Sequence, residues 1–375
     1  MKCVIVSFGF SESVLRLQPW RYLHEIASIL CSKGIEVTVI TDKKCDSFSR
    51  DIPYSLKTVS PIKPWKWKKI CTALKEAAAD KIMWPIGPRT FVWAPLLRKY
   101  DKALIGYVPG IIPSMPKQYR HLFQHGLIKD YLSVFQWTLF KKLILSKLFS
   151  RIVVQSTANE KALIAGGCKK EKIVIVPSGN KRKIDAFFGT KASKKVFLFM
   201  GWPKKIRGID ILLKGFEQAW RHNNALELRI LARGEETKDH RRLYRKAQRL
   251  RSRPHIVIKE GFLSRDEMNE EISSAYCGVL PFEWVPADRP LSFLEFFTLG
   301  IPVVTTPVPG CEELIGDERG IVTSGISAEA LCKAILTISQ FSKEQYDNLQ
   351  NNCLRYIEAY PTWDETASKL KVLLG

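Results

Sequence analysis

The chain has 375 residues, 46% hydrophobic and 26% charged, and its 59 Lys and Arg against 37 Asp and Glu give a net charge of +22. That length exceeds one ordinary core and suits two α/β domains, while the composition excludes a disordered or fibrous chain. No apolar run is long enough to span a bilayer, and Met1-Lys2 leads straight into a strand, so neither a membrane span nor a secretory signal is expected.

Nine cysteines are scattered without a CxxC pair or a histidine cluster, which predicts buried thiols in a reducing, cytoplasmic setting and no metal site. The positive excess points to an anionic partner, either an acidic membrane surface, phosphorylated substrates or nucleic acid. No RNA- or DNA-binding motif supports the last, and a generally basic host proteome would explain the charge without any partner.

In chain order, Cys3 to Ser7 reads as a strand, followed by the loop Phe8-Gly9-Phe10-Ser11-Glu12-Ser13, which lacks GxGxxG spacing. A helix is predicted over 19–32, ending at Gly34, and a strand over Ile35 to Ile40, with Asp42 beyond it as a loop carboxylate. The Lys/Trp segment Ile62 to Ile70 suits a membrane–water interface or a solvated loop. Ile82 to Trp84 and Ala103 to Tyr107 read as further strands, the second opening into Val108-Pro109-Gly110. From Lys117 to Ser150 the pattern is helical, aromatic and edged with basic residues: a core helix, a groove helix or an interfacial helix. Arg151 to Ser156 and Lys172 to Asn180 are strands around a helix, and the basic run 181–195 reads as an interdomain linker.

A second sheet starts at Val196 to Met200 and runs into Gly201-Trp202-Pro203-Lys204-Lys205-Ile206-Arg207-Gly208 ahead of the helix 209–220. A strand, a basic glycine-bounded loop and a helix N-terminus make a phosphate cradle, with Arg207 the first choice for a phosphate contact. Leu226 to Ala232 and Ile256 to Ile258 add strands, and the charged helical stretch 235–253 reads as a solvated face. The centre of the chain is Cys277 to Thr306, a strand, a loop carrying Glu283, Asp288 and Arg289, a helix from Leu291 closed by Gly300, and a second strand. Glu295 lies within that apolar helix, where an unpaired carboxylate is costly, so it requires a partner: a hydroxylated ligand or a structural arginine.

These segments together resemble glycosyltransferase family 4, the retaining nucleotide-sugar enzymes of the GT-B fold, over nearly the whole chain. The resemblance rests on Val153 to Ser156 through Ile173 to Gly179, on Arg207-Gly208, on Glu260 to Ser264, on Pro290 to Thr305, on Pro309 to Leu314, and on Tyr360 to Trp363. It implies two Rossmann-like doubly wound domains facing a cleft: an acceptor domain over 1–180 plus a tail helix in 356–375 that crosses back to it, and a donor domain over 181–355. Glu295 would hold the donor ribose and Arg207, where the family has a lysine, the diphosphate; these two and Asp288 are the expected catalytic set. Gly201, Lys204, Lys205, Gly208, Glu283, Leu291, Ser292, Pro309 and Gly310 complete the expected donor site, with Phe8, Gly9, Tyr107, Pro109 and Gly110 in the acceptor region.

The sequence departs from the family at three places. The family's second glutamate, eight residues before Glu295, falls on Ala287, and whether Asp288 or Glu283 replaces it stays open. The family's arginine near Trp202 is absent, with Lys204 and Lys205 as the candidate replacements. An acceptor-region histidine is missing: Tyr107 to Gly110 takes its place, and His121 and His125 lie further on. The implied activity is a metal-independent, cofactor-free transfer of a sugar from a nucleotide-sugar to a glycan or lipid-linked acceptor with retained configuration, on the inner face of an anionic membrane and without nucleic acid. An epimerase of the same fold and a catalytically silent sugar- or membrane-binding relative are the alternatives.

Overall fold

The computed structural model describes residues 1–15, 17–43, 51–59, 67–87, 90–100, 104–110, 112, 148–180, 195–234, 236–285, 288–316 and 318–375. The stretch 181–194 expected as a linker, the Trp65-Lys66 segment, the stretch 117–147 expected to be helical, with His121 and His125, and Ala287 lie outside the described residues. The chain divides into two compact units, the first Met1–Lys181 with Pro286–Arg289 and Pro361–Gly375, the second Arg182–Val285 with Pro290–Tyr360.

The first unit is built on a seven-stranded, all-parallel sheet of β1 (Lys2–Ser7), β2 (Glu36–Thr41), β3 (Ser55–Thr58), β4 (Lys81–Pro85), β5 (Leu104–Tyr107), β6 (Arg151–Val154) and β7 (Ile173–Ile175), in the order β3-β2-β1-β4-β5-β6-β7. Both faces of β1 are buried: Val4 and Val6 join one core with Trp84, Cys3 and Ile5 the other with Leu23 and Ile26. Burial on both faces is why these strands read as unbroken apolar runs instead of alternating ones. The edge strand β3, Ser-Leu-Lys-Thr and largely exposed, carries no such run and was not anticipated from sequence. Of the Lys/Trp segment 62–70, expected as interface or loop, the described residues 67–70 open the helix Trp67–Glu76.

The tail helix Trp363–Leu374 belongs to this unit and opens with a capping box between Thr362 and Glu365. Its Trp363, Ala367, Leu370 and Leu374, spaced as one helical face, sit in the same core as Leu23, Ile26 and Leu30 of the helix Trp20–Ser32. Each of the larger of these side chains contributes about 1.5–3 kcal/mol by leaving water. The approach is close: a Cβ on Gly179 would lie 2.3 Å from the Trp363 Cα, so only glycine permits it.

The second unit has a six-stranded parallel sheet of β8 (Lys195–Gly201), β9 (Leu226–Ala232), β10 (Ile256–Glu260), β11 (Cys277–Leu280), β12 (Val303–Thr305) and β13 (Gly320–Val322), in the order β10-β9-β8-β11-β12-β13. The order reverses between β8 and β11, which leaves a crevice outside their carboxyl ends. The chain enters it twice, through the loop after β8 into the helix Ile209–His222 and through the loop after β11 into the helix Leu291–Thr298.

Candidate functional site

Gly208 closes the loop after β8 with φ +74°, and a Cβ there would lie 1.6 Å from the Pro281 carbonyl oxygen, so the loop seats directly on the end of β11. The backbone N–H groups of Glu283 and Trp284 both donate to the Ile206 carbonyl, at 2.9 and 3.0 Å, and fix the two loops to each other. Val308 to Cys311 form a turn closed by Cys311 N–H on the Val308 carbonyl, with Pro309 second and Gly310 at φ +84° third, the residue order a type II turn demands.

This frame holds three charged side chains together. Arg207 packs its guanidinium over the Phe282 ring at 5.4 Å and over Gly201, where a Cβ would stand 2.7 Å from Nη1. Arg233, directly after β9, donates its N–H to the Gly201 carbonyl at 3.1 Å and sets Nη2 3.4 Å from Glu295 Oε2. Burial, then repulsion from Arg233, hold the Arg207 pKa down at about 10, against the opposing pull of Cys311 and Glu295. Two guanidiniums thus share one facing carboxylate in a half-buried place, and the local charge is positive.

Both helices that open here lack a side-chain cap: Gly208 and Pro290 stand at their N-cap positions. Among the described residues, the second unit's four other helices of eight or more residues are capped by Thr237, Ser264, Ser327 and Ser342. The Ser292 hydroxyl, one residue inside the uncapped helix, is buried and has no hydrogen-bond partner among the described residues. Uncapped N–H groups and a lone hydroxyl beside excess cationic charge form a surface complementary to an anion.

Of the expected donor residues, Gly201, Arg207, Gly208 and Glu295 come together with the turn of Pro309 and Gly310, whose Cys311 feels the Arg207 charge. Leu291 and Ser292 occupy the first turn of the uncapped helix, and Glu283 is buried on the adjoining loop. Lys204 extends outward with Nζ 4.6 Å from the Trp202 ring, and Lys205 is half-buried in the same turn.

Arg233 went unrecognised in the sequence, where Lys204 and Lys205 were the candidate second cations. The available signal was its position, an arginine followed by a φ-positive glycine (Gly234) at the carboxyl end of an apolar strand. It is the arginine that was one of the two partners expected for Glu295.

Asp288, expected in the catalytic set, belongs to the first unit. It is fully buried, accepts the Gln155 N–H at 2.6 Å and the Ser156 hydroxyl, and Ser156 in turn caps the helix Thr157–Ala165. Burial raises its pKa to about 6 despite these hydrogen bonds and Arg289. The network continues through Gln155 to Ser178 and Gln18, and through Asn159, which accepts the Ile112 N–H and donates to the Gly110 carbonyl, both at 2.8 Å. These bonds give Asp288 an organising part.

Among the acceptor-region residues, Phe8 is exposed and Gly9 donates its N–H to Asp42 at 2.6 Å, the loop contact expected of that carboxylate. Pro109 and Gly110 are half-buried at the end of β5. Tyr107 instead turns into the core: its hydroxyl donates to the Val6 carbonyl at 2.9 Å and burial raises its pKa. Among the described residues no group of His, Cys, Asp or Glu is placed to hold a metal ion, and no helix is long and apolar enough to cross a membrane.

The paired parallel sheets are those of the GT-B glycosyltransferases. Over 100% of this chain, sucrose-phosphate synthase from Thermosynechococcus elongatus matches with a TM-score of 0.79 at 16% identity, 98% of that chain being covered. A glycosyltransferase from Rickettsia africae matches at 0.77 and 13%, 97% covered, and Anabaena HepE in complex with UDP and glucose at 0.73 and 12%, 99% covered, each over all of this chain. No curated protein matches the chain in sequence. Residues 194–340, most of the second unit, match the family model of the Glycosyl transferases group 1.

Proposed function

We propose that the chain is a nucleotide-sugar-dependent glycosyltransferase that transfers its sugar with retention of anomeric configuration and without a metal. The convergence of Arg207, Arg233 and two uncapped helix N-termini at the crevice of a glycosyltransferase domain carries this reading. Departure of a nucleoside diphosphate builds negative charge on phosphate while the sugar becomes oxocarbenium-like. Fixed guanidiniums and backbone N–H groups aimed at that charge lower the barrier without the reorganisation water would need. Glu295 holds the ribose hydroxyls and Ser292 offers its hydroxyl to a phosphate oxygen.

The acceptor, a glycan or a lipid-linked sugar, is received by the first unit near Phe8, Gly9, Pro109 and Gly110. Attachment to an anionic membrane surface from the cytoplasmic side accords with the net charge of +22. It also accords with the exposed column Lys238, Arg241, Arg245 and Arg249 on and just beyond the helix Lys238–Ala247.

Thermal stabilisation by UDP-, GDP- and ADP-sugars tests the donor, UDP-sugars first because the HepE structure holds UDP. Saturable stabilisation by one of them, with sugar transferred to an acceptor in product analysis, is the expected result. Stabilisation with an epimerised donor as product would reassign the chemistry, and binding without turnover would make the chain a silent relative. No stabilisation by any of the three would overturn the reading. Flotation with anionic and not neutral vesicles, weakened by salt, tests the membrane partner.

A further inference from the structure

We propose that Arg233 is the second diphosphate-binding cation and that its ion pair with Glu295 is a latch, which the donor opens by giving each half a new partner. This rests on the reading of the site as a nucleotide-sugar site and concerns how that site is set before the donor arrives. Arg207 and Arg233 both converge on Gly201, Arg207 with its guanidinium packed where a Cβ would stand and Arg233 through its backbone N–H on the carbonyl. Burial and, after it, repulsion between them lower the Arg207 pKa, a cost a protein retains where an anion is to be bound. Only Nη2 of Arg233 is engaged, by Glu295 and by the Met200 and Met268 sulfurs, so among the described residues Nε and Nη1 make no hydrogen bond.

The 3.4 Å separation from Glu295 is long for a charge-assisted hydrogen bond, which suits a pair meant to part. A diphosphate entering between the guanidiniums offers Arg233 a more highly charged partner than one carboxylate. Glu295, relieved of Arg233, then accepts the ribose hydroxyls. Lys204 and Lys205, on the outer turn of the neighbouring loop, need not supply the second charge.

The latch makes a prediction that a purely structural ion pair does not. The readout is the ratio between the affinities of a nucleoside diphosphate and of its nucleoside, taken for UDP, GDP or ADP, whichever stabilises the wild type. Arg233→Ala should shrink that ratio about tenfold or more and Arg233→Lys by less. Glu295→Gln should weaken the nucleoside yet widen the ratio several-fold, because removing the carboxylate leaves two unneutralised guanidiniums facing the diphosphate. Melting curves of the unliganded variants establish that each is folded.

An unaltered ratio in Arg233→Ala, or a narrowed one in Glu295→Gln, would overturn the latch while leaving the donor site intact. A wild type that binds the diphosphate no better than the nucleoside would overturn the donor-site reading as well.

Discussion

The two units place polar groups at the carboxyl ends of their strands in opposite conditions. In the first, Asp288, Gln155, Ser156, Ser178 and Asn159 answer one another, buried acceptors meeting buried donors, with only Gln18 Oε1 at the edge of that network left without a partner among the described residues. In the second, two guanidiniums face one carboxylate, two helices open without caps, and the Ser292 hydroxyl has no partner among the described residues. A satisfied buried network stabilises a fold, whereas an unsatisfied one destabilises it and persists where a ligand completes it. The difference separates structure from site without reference to any relative, and mutations in the two places should therefore have opposite signatures.

The largest effect on stability is expected at Asp288. Replacing it with alanine leaves the Gln155 N–H and the Ser156 hydroxyl without their acceptor, at roughly 1–3 kcal/mol each, so chemical denaturation should show a loss of about 2–6 kcal/mol. The affinity of the folded protein for a nucleoside diphosphate should stay the same. A stable Asp288→Ala variant with weakened donor binding would place Asp288 in the site instead.

Ser292→Ala should show the reverse, on a smaller scale. Deleting a buried hydroxyl that lacks a partner leaves the melting temperature unchanged or raised, while donor affinity falls about three- to tenfold for one lost hydrogen bond of roughly 0.5–1.5 kcal/mol. A destabilised variant that binds normally would show that the hydroxyl serves the fold.

A further signature is a pH dependence. Because burial raises the Asp288 pKa from 3.8 to about 6, the folded chain holds this proton more tightly than the unfolded chain does between those values. The group therefore subtracts stability as pH rises from about 4 to about 6. Asp288→Asn removes the ionisation, so the difference in melting temperature between wild type and variant should move in the variant's favour across that window and be flat above it. A difference independent of pH would mean that Asp288 titrates at its ordinary value.

Much of the fold was legible because doubly buried parallel strands announce themselves as apolar runs, as Val196 to Met200 and Leu226 to Ala232 do. Strand β3 escaped because an exposed edge of four residues needs no such run. Within the site, Arg207 and Glu295 stood out because a basic loop before a helix and a carboxylate inside an apolar helix are each anomalous locally. Arg233 is not anomalous until β9 is laid beside β8 and its side chain meets Glu295, a contact across 62 residues of sequence. Tyr107 misled for the complementary reason: sequence places it at a strand end, while only the packing reveals that its hydroxyl reaches Val6.

The most direct test of the donor site is Arg207→Ala, measured for turnover, Michaelis constant and melting temperature together. If Arg207 is kept for the charge of the departing diphosphate, the turnover number falls about 10²–10³-fold, the Michaelis constant changes much less, and the melting temperature holds or rises because a repelled, buried cation has been removed. A variant that turns over at the wild-type rate, or one that loses activity only in proportion to lost stability, would contradict the assignment.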